Sequence, residues 1–152
     1  MGINILLMVE NAVRSIKFYR HINFNDEMFL KYKGHVYFGE MSYNDNYRLM
    51  FLEKKWWNFS EEINEFCIGK GVLIYIPVTD IDTVYKKIPN SAKIIYQPKN
   101  FYYGREFVIQ DEDGYKVSFF QNYEKGEIIK EGMEKWERKE EKKGELCDWV
   151  EK

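Results

Sequence analysis

The chain comes close to repeating itself. Tyr47-Arg48-Leu49-Met50-Phe51-Leu52-Glu53 returns as Tyr115-Lys116-Val117-Ser118-Phe119-Phe120-Gln121, 68 positions later. Val9-Glu10-Asn11 and Val78-Thr79-Asp80, each followed by a helical pattern, lie 69 positions apart. Two independent segments with nearly one offset predict a duplicated module. Two copies make a paired fold, not a solenoid. At 152 residues the pair fills about one domain.

Each copy reads as β-α-β-β-β. In the first, 4–9 is an apolar strand, and Asn11 caps a helix carrying Val13, Ile16, Phe18, Tyr19 and Ile22. Strands follow at 28–33, 36–41 and 47–52, punctuated by Lys33-Gly34 and Asn44-Asp45-Asn46. In the second copy, 72–78 is a strand. Asp80 caps a helix with Ile81, Val84, Tyr85 and Ile88, and Pro89 stops it. Strands follow at 92–96, 106–110 and 116–121, with Asp113-Gly114 as a tight turn matched by Asp45-Asn46 in the first copy. The fold class is α+β: two tandem βαβββ modules, about 2–53 and 71–122, in a domain spanning 1–122. The linker between them, rich in Trp56, Trp57, Phe59 and Phe66, reads as a short helix packing over the sheet. From 123 to 152 the chain turns charge-dense. Ile129, Met133 and Trp136 then make one sticky helical stripe, and Leu146, Trp149 and Val150 a second apolar patch.

Composition narrows the function. Lys+Arg at 23 against Asp+Glu at 25 leaves a net charge of −2. That is no basic excess for holding nucleic acid. The longest uncharged apolar runs, 5–9 and 72–78, fall far short of the roughly 20 residues of a membrane helix. The first residues read as neither a secretory signal nor a myristoylation site, and Cys67 and Cys147 make no disulfide framework. A cytoplasmic protein with reduced thiols is expected. Aromatic residues reach 18%, which suits strands and aromatic-lined cavities.

Two stretches carry a resemblance. One is Ser15-Ile16-Lys17-Phe18-Tyr19. The other, more specific, is Tyr103-Gly104-Arg105-Glu106-Phe107, running through Asp111-Glu112-Asp113-Gly114-Tyr115 into the last strand. Together with the duplicated module they resemble the vicinal oxygen chelate superfamily of glyoxalases, bleomycin-resistance proteins and extradiol dioxygenases. The bleomycin-resistance branch is the nearest. Two departures stand out: Ile22-Asn23-Phe24 where the family usually has Leu-Gly-Phe, and Glu112 where it usually has Pro. The resemblance implies sheets curled into cups that pair to enclose a cavity, in homodimers that share cavities across subunits; the Lys-, Asn- and Ile-rich composition separately points to an AT-rich bacterial genome.

Metal-dependent members of that superfamily place a His or Gln on the first strand of a module and a carboxylate on its last. Carried over, those places are Asn4 and Met50 in one copy, and Leu73 and Ser118 in the other. A shift of two on the first strand gives Gly2 or Leu6, and Gly71 or Tyr75. None is a good donor for a divalent ion. No metal and no cofactor is therefore expected, and no catalytic residue is assigned. What remains is an aromatic-rich cup. Its candidate lining is Asn4, Met50, Leu52, Trp56, Trp57, Leu73, Phe101, Tyr102, Arg105, Ser118 and Phe120. The reading is a metal-independent protein that sequesters a small organic molecule, aromatic or antibiotic-like. Its partners are that molecule and a second copy of itself, with neither nucleic acid nor membrane. Two rivals stay open. One is a metal-dependent lyase, isomerase or dioxygenase of the same superfamily, drawing ligands from positions such as His35 with Glu40. The other is an interaction module whose cavity is filled by its own aromatics. Glu10, Glu40 and Glu53 flank strands and read as solvated strand-end charges.

Overall fold

A computed structural model describes residues 4–101 and 104–123. Tyr102 and the charged segment 124–152, with its expected helix, lie outside them.

The first module runs β1 (Asn4–Val9), α1 (Ala12–His21), β2 (Asn25–Tyr32), β3 (His35–Tyr43) and β4 (Tyr47–Glu53). After a 3-10 turn at Lys54–Trp56 and a one-turn helix α2 (Glu61–Asn64), the second repeats the order. It runs β5 (Leu73–Pro77), α3 (Ile81–Lys86), β6 (Lys93–Phe101), β7 (Gly104–Gln110) and β8 (Lys116–Asn122). Each module forms a mixed four-stranded sheet, β1-β4-β3-β2 and β5-β8-β7-β6. In each, the first and last strands pair in parallel at one edge and the other neighbours are antiparallel. Neither sheet closes on itself.

Both helices start with the same two devices. The Asn11 side chain accepts the Arg14 N–H at 2.9 Å, and Asp80 accepts that of Thr83 at 3.1 Å. One residue further on, the first N–H of each helix is taken by the end of the last strand. Ala12 N–H goes to Glu53 Oε1 at 3.1 Å, and Ile81 N–H to Gln121 Oε1 at 2.9 Å. Helix and sheet are thus tied at equivalent points of the duplication. α1 ends in a left-handed residue, Asn23 at φ 70°, with Phe24 N–H on Tyr19 O and Asn23 N–H on Arg20 O. Asn is the best substitute for Gly there, so the departure at 22–24 keeps the turn.

Every second residue of each sheet faces its helix. Leu7, Val9, Leu49 and Phe51 meet Ile16 and Tyr19 in the core, as Ile74, Ile76, Phe107, Ile109, Val117 and Phe119 do with Ile81. The alternate residues face the other way and form the cup.

Three sequence expectations change. α3 ends at Lys86, one turn before Pro89, because Lys87 and Ile88 turn back onto Val84 O and Tyr85 O. The first β-turn places its left-handed residues at Asn44 and Asp45, not at Asn46. The second places its own at Gly114, so the duplicated hairpins turn differently. The linker helix does not pack over a sheet: residues 58–67 are all exposed. Trp57 instead gathers Phe59 and Phe66 around itself at 5.0 and 6.4 Å and donates its indole N–H to Ile63 O.

Candidate functional site

Register decides what each cup presents. In the first sheet Met50 lies beside Leu6 on β1 and Glu40 on β3, and Glu40 in turn faces Met28 on β2. Asn4 lies beside Arg48, and Leu52 beside Met8 and Phe38. The face is therefore apolar along Met28, Leu6, Met50, Phe38 and Leu52. Toward its Ser42 end it becomes polar. A bulge between Asp26 and Met28 turns Glu27 into the cup. There it accepts the buried Ser42 hydroxyl at 2.5 Å. Arg48 donates to Glu40 at 2.7 Å and lies 3.7 Å from Glu27, so one guanidinium serves two carboxylates.

In the second sheet Ser118 lies between Tyr75 on β5 and Val108 on β7. Leu73 lies beside Lys116, and Phe120 between Pro77 and Glu106. Tyr96, Lys99 and Phe101 face the same way from β6, opposite Val108, Glu106 and Gly104. Tyr96 donates its phenol O–H to the buried Glu106. The Lys99 ammonium rests over the rings of Tyr96 and Phe101 at 4.3 and 5.0 Å.

The expected lining residues thus divide. Asn4, Met50 and Leu52 share the first cup face, and Leu73, Phe101, Ser118 and Phe120 the second. Trp56 stacks on Tyr37 at 4.4 Å and meets Tyr32 edge-on at 5.4 Å, with its buried indole N–H unpartnered among the described residues. Trp57 belongs to the linker cluster. Arg105 needs correcting: it alternates with Glu106, so it faces α3, where it holds Asp82 at 2.6 and 3.1 Å. Sequence reading named Tyr75 only as a shifted first-strand place and left Tyr96, Glu106 and Glu27 out of the lining. Counting strand residues outward from the turn that joins Asp111 to Tyr115 would have put Glu106 opposite Phe120. The bulge that redirects Glu27 has no such signal.

The fold's metal places do not fit a divalent ion. Side by side in the cups stand Leu6 with Met50 and Tyr75 with Ser118. Among the described residues no three His, Cys, Asp or Glu are grouped to hold one. His35 and Glu40 do not converge. His35 Nε2 lies 2.7 Å from Glu53 Oε2, while Glu40 holds Arg48. Glu53 is a buried residue, 2% exposed, and no solvated strand end. Burial pushes its carboxyl up, but the bonds from His35, Ala12 N–H and Lys55 outweigh that and hold it below its usual range.

The Asp111–Asp113 turn is a clasp between modules. Asp111 accepts Tyr19 O–H at 2.9 Å. Asp113 accepts Arg14 and Ser15 side chains and the Glu10 N–H, and Tyr115 O–H reaches Met8 O at 2.8 Å. Burial raises the Asp111 carboxyl above its ordinary range, against the pull of the Tyr19 hydroxyl. The Asp111–Tyr115 end of the motif that carried the resemblance therefore joins the two halves, while Glu106 nearer its start faces the second cup.

Neither protein-family models nor curated proteins match this chain. Solved structures do. TioX from Micromonospora sp. ML1 superposes with a TM-score of 0.67 at 13% identity, over 81% of this chain and 99% of that one. A glyoxalase/bleomycin resistance protein/dioxygenase family enzyme from Burkholderia phytofirmans PsJN gives 0.64 at 15% identity, over 79% and 97%. TnmS3, an antibiotic binding protein from Streptomyces sp. CB03234, gives 0.56 at 14% identity, over 81% and 98%. At these identities the likeness establishes the fold.

Proposed function

We propose that this chain, whose fold is that of the vicinal oxygen chelate superfamily, is a metal-independent binding protein for a small organic molecule. The observation that carries the reading is the chemistry at the paired register positions, Leu6 beside Met50 and Tyr75 beside Ser118. A thioether, an alkyl group, a phenol and a hydroxyl are poor donors to a divalent cation and good surface for an organic guest. Around them Met28, Leu30, Leu73 and Tyr75 stay exposed, an apolar surface suited to stacking and burial. That TnmS3 is an antibiotic binding protein supports an antibiotic-like guest. The reading includes a cytoplasmic homodimer whose cups are completed across subunits, with no catalytic step.

Thermal melting of the full chain with a panel of aromatic antibiotics and metabolites tests it, with and without chelator. At a hundredfold excess over Kd a true ligand adds about 2.7 kcal/mol, or several degrees of Tm. At least one compound is expected to do so whether or not chelator is present. No shift from any compound at saturation sinks the reading. So does stoichiometric zinc, nickel, iron or manganese whose removal abolishes turnover of a hemithioacetal or catechol.

A further inference from the structure

The two cups use equivalent positions for different chemistry. A shift of 68 carries Met28, Phe38, Met50 and Leu52 onto Tyr96, Glu106, Ser118 and Phe120. At these four positions the first floor is apolar, while the second holds a phenol, a carboxylate and a hydroxyl.

Ser118 is the residue the fold does not need. It is 0% exposed, and among the described residues its Oγ has no hydrogen-bond partner. A buried hydroxyl without a partner is a desolvation cost that Ala would avoid. Met50 fills the same position in the other half, so the strand accepts an apolar side chain there. A hydroxyl kept at such a cost is a donor waiting for an acceptor. Its register places it in the cup: Val117 and Phe119 on either side belong to the core. Glu106, 2% exposed, lies one diagonal step away on the same face, because it faces Phe120 while Val108 faces Ser118. Such a diagonal spans roughly 7–8 Å. Glu106 takes the Tyr96 O–H among its contacts, and a carboxylate accepts several donors at once.

We propose that Ser118 and Glu106 together hold a neutral amide of the ligand. The ligand carbonyl accepts the Ser118 O–H, and its N–H donates to Glu106. A carboxylate ligand would meet Glu106 as a like charge. A ketone would satisfy Ser118 alone. Of these three, the amide alone uses both groups. The aromatic body attached to it lies against Tyr75 and Phe120, whose rings already meet edge-on at 5.8 Å. Tyr75, half exposed, stands directly beside Ser118 across β5 and β8 and supplies one ring of that surface. The proposal rests on the binding function above and names the class of guest.

Calorimetry on the full chain with 2-naphthamide, 2-acetonaphthone and 2-naphthoate separates the terms. The amide is expected to bind about tenfold more tightly than the ketone, and the carboxylate most weakly. Ser118→Ala weakens amide and ketone alike by about tenfold and leaves Tm unchanged or raised. Glu106→Gln removes most of the preference for amide over ketone. The inference is overturned if amide and ketone bind equally, or if Ser118→Ala binds the amide undiminished. It also fails if Ser118→Ala lowers Tm, or if the amide fails to bind while panel compounds do. Only when nothing in the panel or this series binds does the binding function fall with it.

Discussion

Glu53 shows how much one side chain carries. It closes β4, receives the first N–H of α1, and takes His35 and Lys55 at 2.7 and 3.2 Å on its other oxygen. Its equivalent Gln121 makes the same bond to α3 without a charge. Glu53→Gln is therefore expected to keep the helix start and lose the ionic part, costing on the order of 1 kcal/mol at neutral pH. The folded carboxyl titrates below its unfolded value. Its stabilisation is thus complete above the ordinary carboxylate range and lost as pH falls through the lowered folded value. Urea unfolding at pH 7 and in mild acid checks this, with the variant losing less stability on acidification than the parent. An equally steep loss in the variant would remove the charge from the account.

At the scale of elements, the linker loop is pressed onto the β7–β8 turn. A Cβ on Gly69 would sit 2.2 Å from Asp113 O, and Gly69 has φ +74°. Gly71, at φ +77°, has nothing within 4 Å of its Cβ position. Both substitutions to Ala meet backbone strain of about 1 kcal/mol, but only Gly69→Ala must also displace backbone. It is expected to cost more than about 2 kcal/mol, and Gly71→Ala about 1. Equal losses in thermal or urea unfolding would show that the loop yields. The outer strands are handled differently. β6 carries Pro98 and two register shifts, which blunt its free edge, while β2 carries two shifts and exposes Met28, Phe29 and Leu30.

For the whole molecule the clasp makes two modules one folding unit. Asp113 alone receives Glu10 N–H, Arg14 and Ser15, so α1 and the second sheet cannot part without exposing those bonds. The most protected amides of both sheets are expected to exchange with one opening free energy. Asp113→Ala should lower it in both by about 2–3 kcal/mol. Native-state hydrogen exchange measures it. Two distinct opening energies in the parent chain would mean that the halves fold apart.

The duplication, the strand and helix types, and the caps at Asn11 and Asp80 were legible in the sequence because they follow from local pattern and from side chains bonding two or three residues away. That Met50 and Ser118 are poor donors to a divalent ion was legible for the same reason: it depends on residue identity. What only the tertiary structure decided is which way residues point and whom they meet. Arg105 and Glu106 are neighbours in the chain, yet alternation sends one to α3 and the other into the cup. Glu27 enters the first cup only through a bulge, and Asp111 and Asp113 reach α1 across about a hundred residues of chain. Such contacts depend on register and on the packing of one half against the other, which no local pattern encodes.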